Sequence, residues 1–152
     1  MIHKDNISQR QAWMAVLSKA ACEELAMLWG AVSDKPSYEL LRKPETGLVM
    51  VRGRMGGTGK PFNTGEATVT RCSVRSDSGK TGHAYILGRD HKHARLAAEV
   101  DAALQQDENR EGLMTSIIMP LAEQHEAKLN LHRKKVAATK VDFFTLVRGE
   151  DE

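Results

Sequence analysis

The sequence predicts an α+β fold, a four-stranded antiparallel meander sheet packed with N-terminal helices and a long C-terminal helix. Three observations carry this expectation. Apolar residues recur at helical spacing over 8–30, the stretch 37–88 switches to strand-like runs broken by short turns, and helical spacing returns over 90–148. All 152 residues read as a single domain built from these three parts.

Ser8 with Gln11 reads as a capping box, and Trp13, Val16, Leu17, Ala20, Leu25, Leu28 and Trp29 follow at helical spacing to Gly30. Ser18 marks where a kink or second cap would fall. Ser33, Asp34, Lys35 and Pro36 form a breaker cluster. Tyr38 to Arg42 then reads as a short strand, Lys43 to Thr46 as a turn, and Gly47 to Met55 as a second strand. Ala67 to Arg75 alternates with β-branched residues, a strand signature. Ser76, Asp77, Ser78 and Gly79 turn the chain into Gly82 to Gly88.

Asp90 is a natural N-cap for a helix with Leu96, Val100 and Leu104 in one stripe. Gly112 interrupts, Leu113 to Met119 is a short apolar helix or docking segment, and Pro120 suits the first turn of the last helix. Leu121, His125, Leu129, His132, Val136, Phe143 and Val147 share one face of it, and Gly149 fits its C′ position.

Apolar residues at 41% and charged residues at 28% fit a soluble globular protein. A net charge of +2 gives no electrostatic case for a nucleic-acid or membrane binder, and 5% aromatic residues offer few base-stacking platforms. Cys22 and Cys72 lie far apart and read as free thiols of a reducing cytosol. The start of the chain lacks the apolar run of a signal peptide, and no stretch has the length of a membrane span. A cytoplasmic protein with no nucleic-acid or membrane partner is the expectation.

The most informative tract is GLVMVRGRMGGTGKPF, Gly47 to Phe62. Its glycines let backbone N–H groups approach an anion or another chain, and Arg52 and Arg54 supply fork-shaped donors. It is not a P-loop: Gly53 to Gly59 is one residue too long, and Pro61 stands where the magnesium-binding hydroxyl belongs. Nor is it a dinucleotide loop, because Phe62 occupies the third glycine position. An anion- or partner-binding loop and a long surface turn both remain open.

Arg89, Asp90, His91, Lys92 and His93 form the densest polar cluster. No Cys, Asp or Glu pattern completes a zinc site there. The cluster is either an anion site at a helix start or a capped helix with solvated histidines. Arg52 with Arg54, and Arg71 with Arg75, would make a basic sheet face or simply a solvated one. No G-x-S-x-G elbow marks a nucleophile, and the adjacent Glu23 and Glu24 diverge on a helix. These residues assign no catalytic set and no metal ligands.

Several motifs, in order, resemble the PhnG family, a subunit of the bacterial carbon–phosphorus (C–P) lyase core complex of phosphonate metabolism. They are QAWMAVL (Gln11 to Leu17), ETGLVMVRGRMGGTG (Glu45 to Gly59), FNTGEATVTRCSVR (Phe62 to Arg75), YILGRDHKHA (Tyr85 to Ala94) and VAATKVDFFTLVRGE (Val136 to Glu150). The resemblance implies a cytoplasmic hetero-oligomer with PhnH, PhnI and PhnJ, acting functionally with PhnL. In that system the ribose 5-triphosphate moiety of ATP passes to an alkylphosphonate such as methylphosphonate, and adenine is released. It places nucleosidase chemistry on the I subunit, and an iron–sulfur cluster and S-adenosylmethionine on the J subunit. This chain is then expected to hold no cofactor and no catalytic residue of its own. Candidate partner- or phosphate-facing positions are Arg52, Arg54, Gly56, Gly57, Thr58, Gly59, Arg89, His91, Phe144 and Arg148. The alternative is an independent phosphate- or nucleotide-binding module using Arg54, Gly59 and Arg89.

Overall fold

The computed structural model describes residues 2–139, with side chains from Ile7 onward. Helix α1 (Ile2–Lys19) and helix α2 (Cys22–Gly30) precede strand β1 (Tyr38–Arg54). A 3₁₀ turn (Met55–Gly57) leads to strand β2 (Pro61–Ser76), which a tight turn joins to strand β3 (Thr81–Leu87). Helix α3 (His91–Leu104), helix α4 (Asp107–Leu113), a π-type turn (Met114–Ile118) and helix α5 (Met119–Ala138) follow.

The sheet is an antiparallel meander in the order β1-β2-β3, with three strands among the described residues rather than the expected four. The expected turn at Lys43 to Thr46 does not reverse the chain. β1 runs straight through it, from the pair Arg42↔Ser73 to Glu45↔Arg71, so one extra β1 residue is absorbed as a bulge. Pro44 is tolerated there because β1 is an edge strand among the described residues and a bulge needs no ladder N–H from it. Two short strands therefore fuse into one of 17 residues.

Other boundaries move as well. Helix α1 starts at Ile2, so Ser8 lies inside it and is no N-cap. The break falls at Ala20–Ala21, after Ser18 Oγ donates to Ala15 O at 3.0 Å. Gly112 sits within α4, and the path continues helically through the π-type turn, where Ile117 and Ile118 are buried. Pro120 does occupy the first turn of α5. Phe143, Val147 and Gly149 lie outside the described residues.

Helix α3 is the centre of the packing. Its face of Ala94, Ala97, Ala98, Ala102 and Ala103 is buried, and small side chains let the helix come close to the sheet. At Gly82 of β3 the approach is so close that a Cβ would collide with Ala98 O and lie 2.7 Å from Ala102 N. Trp13 and Leu17 of α1, Leu25 and Trp29 of α2, and Ile117 and Leu121 complete the core. Each fully buried leucine stabilises by roughly 1.5–3 kcal/mol. Only the half of the sheet next to β3 receives this cover; from Gly47 to Glu66 nearly every residue is exposed. No helix among the described residues is long and apolar enough to cross a membrane.

Candidate functional site

The glycine tract forms the tip of a two-stranded ribbon that extends past the helices. Gly56 (φ 60°) and Gly57 (φ 80°) take left-handed backbone, which explains glycine at both positions. Gly59 N donates to Met55 O at 3.1 Å, and a Cβ there would stand 2.8 Å from the same oxygen. Below the tip, Thr64 is an extra residue on β2, and its Oγ1 donates to Val51 O at 2.9 Å. The sequence thus builds a defined hairpin end, with Arg52, Arg54, Gly56, Gly57 and Thr58 all in solvent.

Arg89 and His91 stand elsewhere, at the start of α3. Asp90 caps this helix as expected, its Oδ1 accepting from His93 N at 2.8 Å. That carboxylate already occupies the positive helix end and works against a further anion there. The two histidines diverge: His93 is buried and its Nε2 donates to Leu17 O at 2.8 Å, whereas His91 is exposed. Among the described residues, no three of His, Cys, Asp and Glu form a group suited to a metal ion.

His91 is nevertheless held in a fixed orientation. Thr70 Oγ1 donates to Gly88 O at 2.8 Å, so it can only accept from Thr46 Oγ1 at 3.2 Å. Thr46 has then used its one proton, and His91 Nε2 must donate to it at 2.9 Å. With Nε2 donating, Nδ1 is the ring nitrogen left without a role in this relay. Nothing in the sequence pattern flagged this threonine relay, because it depends on the β1–β2 register.

Thr46 touches His91, and Arg54 lies eight residues further along β1. At strand rise the separation is roughly 26 Å. The ribbon tip and the α3 start thus form two places, and a single phosphorylated ligand does not bridge Arg54, Gly59 and Arg89. The arginine pairs also fail to share a face. Thr70 is buried on the helix side and pairs with Thr46, so alternation puts Arg52 and Arg54 on that side and Arg71 and Arg75 on the other. Arg71 Nε further donates to Glu45 Oε1 at 2.6 Å, and Arg42 Nη1 reaches the same oxygen at 2.5 Å. These guanidiniums hold the Glu45 carboxyl below its usual range.

Clefts border the helices among the described residues, one of 680 Å³ between Trp13 of α1 and Met114. That cleft and those beside Trp29, beside Leu17 and beside Arg10 are not lined by Arg52, Arg54, the tip glycines, Arg89 or His91. Both thiols are poor nucleophiles: burial and then the Asp90 carboxylate push Cys22 up, and burial pushes Cys72 up. Phe144 and Arg148 lie outside the described residues.

Exposed apolar side chains, not a pocket, distinguish this surface. On the ribbon, Leu48 is 64% exposed, Met50 56%, Met55 76% and Phe62 44%, with Val49 and Val51 beside them. Tyr85 and Leu87 add to the outer sheet face, and Leu129, Leu131 and Val136 are exposed on α5. Among its described residues the expected stripe of α5 is thus buried at Leu121 alone, and Leu129 and Val136 are exposed. On the ribbon these side chains fall on both faces, Leu48 and Met50 on the helix side and Val49 and Val51 on the other. Large apolar side chains exposed in this way mark an interaction surface.

Comparison with known proteins gives the family. The model of the family described as phosphonate metabolism protein PhnG matches residues 8–149. A relative from Rhizobium meliloti (strain 1021), described as alpha-D-ribose 1-methylphosphonate 5-triphosphate synthase subunit PhnG, is 47% identical over 149 residues. The match covers 95% of this chain and 92% of that protein.

Proposed function

This chain belongs to the PhnG family of phosphonate metabolism proteins, and from that membership we propose that it is a subunit of an α-D-ribose 1-methylphosphonate 5-triphosphate synthase. The observation that carries the reading is the 47% identity over nearly the whole of a relative described as that synthase's subunit. In the proposed reaction the bond from ribose C1 to the adenine nitrogen of ATP breaks. A methylphosphonate oxygen forms the new bond to C1, and adenine leaves with a proton.

The role of this chain in that reaction is accessory: it completes or scaffolds an assembly whose nucleosidase chemistry resides on the I subunit. Two features support this. The candidate residues are split between ribbon tip and α3 start, and the exposed apolar surface asks for protein cover. The H, I and J subunits are its partners, with L acting alongside. The iron–sulfur cluster and S-adenosylmethionine belong to J, and the distant Cys22 and Cys72 do not offer the close set of thiolates a cluster needs.

The test is adenine release from ATP and methylphosphonate by the reconstituted G, H, I and L subunits. Release should require this chain. Full-rate release with this chain omitted would reject the proposal.

A further inference from the structure

Among the described residues the ribbon of 47–68 adds nothing to the core: the buried cluster takes Cys72 and Val74 from β2 and no residue of this stretch. Among the described residues both of its edges are open: β1 pairs with β2 alone, and β2 pairs with β3 only between Val69 and Arg75, so 61–67 has a single strand neighbour. An open, apolar, two-edged ribbon is a liability in a free monomer and gains stability once another chain covers it.

Charge narrows the occupant. Arg10, Arg42, Arg71, Arg95 and Arg110 each meet a carboxylate. Among the described residues Arg52, Arg54 and Lys60 have no such partner, as is true of Arg75 and Arg89 outside the ribbon, but within the ribbon Glu66 is the only carboxylate against these three cations. A second copy of the ribbon would set like charges together. A free phosphate would pair with the arginines but leave Leu48, Met50, Met55 and Phe62 in water. A protein groove with an apolar floor and carboxylates at its rim satisfies both features.

Resting on the subunit reading above, we infer that this ribbon is an insertion arm. It docks in an apolar groove with an acidic rim on another subunit of the assembly, Arg52, Arg54 and Lys60 meeting the rim carboxylates. Apolar contact supplies the affinity, and the cations fix register and speed the encounter.

The test compares three forms of the full chain, each co-expressed with tagged H, I and J subunits and recovered by affinity. They are the unaltered chain, a chain in which 50–66 is replaced by Asn-Gly, and the triple variant Arg52→Glu, Arg54→Glu, Lys60→Glu. The replacement joins Val49 to its register partner Ala67 through a two-residue turn and keeps Thr68 O, which accepts from Gly88 N at 2.8 Å. Circular dichroism and melting of each form report folding. The unaltered chain should be recovered with its partners, and the shortened chain should fold yet be recovered at least about tenfold less. The triple variant keeps every backbone contact and should also lose recovery, so it decides the matter if the shortened chain does not fold.

Stoichiometric recovery of a folded shortened chain, or of the triple variant, overturns the arm while leaving the subunit reading intact. Failure of the unaltered chain to assemble overturns both. Recovery that nuclease treatment abolishes overturns the protein occupant in favour of a nucleic acid.

Discussion

The Asp101 carboxylate, fully buried on α3, accepts from the Arg10 guanidinium of α1 at 2.7 Å. The same carboxylate accepts from Trp13 Nε1 at 2.9 Å and from His83 N of β3 at 2.9 Å. One side chain thus ties two helices to the sheet, and the body that carries the ribbon depends on it.

Asp101→Ala is expected to lower stability by about 3 kcal/mol, since it leaves Trp13 Nε1, His83 N and a half-buried guanidinium unmet. Asp101→Asn keeps one acceptor oxygen and should cost less. Urea unfolding of both variants checks the order; an Asn variant less stable than the Ala variant would mean the charge is not what matters.

Gly82→Ala should destabilise by about 3 kcal/mol or more, because the new methyl meets the backbone of α3 at Ala98 and Ala102 and neither can yield. Gly65→Ala, which meets nothing within 4 Å, should stay within about 0.5 kcal/mol of the parent. Equal melting temperatures for the two variants would show that the helix does not approach the sheet as described.

These two residues also show what the sequence could and could not reveal. The three-part α+β order, the Asp90 cap and Pro120 at a helix start were legible, since each rests on local spacing or backbone chemistry. Pro44 misled: flanked by Lys43 and Glu45 it has turn chemistry, and only the register with β2 shows it to be a bulge on an edge strand. Asp101 was invisible because an acid inside an alanine-rich helix looks solvated until Arg10, Trp13 and His83 converge on it from other elements. The His91–Thr46–Thr70 relay depends on pairing in the same way. The glycine–arginine tract stands out in the sequence by composition alone, and its isolation from Arg89 follows from the length of β1.

Lowering the pH should expose the role of Glu45. Its folded carboxyl is held below the ordinary range by Arg42 and Arg71. Its contribution is therefore complete above the unfolded carboxylate value and is lost as the pH falls through the lowered folded value. Glu45→Gln should flatten this part of the acid limb of a melting-temperature profile and leave the limb above neutrality unchanged. The pair is exposed, so the effect is small. A Gln variant with the parent's acid limb would contradict the assignment.

At the ribbon tip, of Arg54→Ala, Gly57→Val and Thr58→Ala, the first and last should leave melting nearly unchanged because the tip contributes nothing to the core, while the second should cost about 1–2 kcal/mol in backbone strain. The first two should weaken assembly or adenine release, Arg54→Ala by about tenfold through a lost interface cation and Gly57→Val by forcing a β-branched residue into φ 80°. Unaltered assembly and release in all three variants would remove the tip from the account.

The most direct test of the subunit role is native mass analysis of the tagged chain purified after co-expression with the H, I and J subunits. A single assembly containing all four chains is the predicted result. A monomer emerging alone, with the three partners present and folded, would contradict the account.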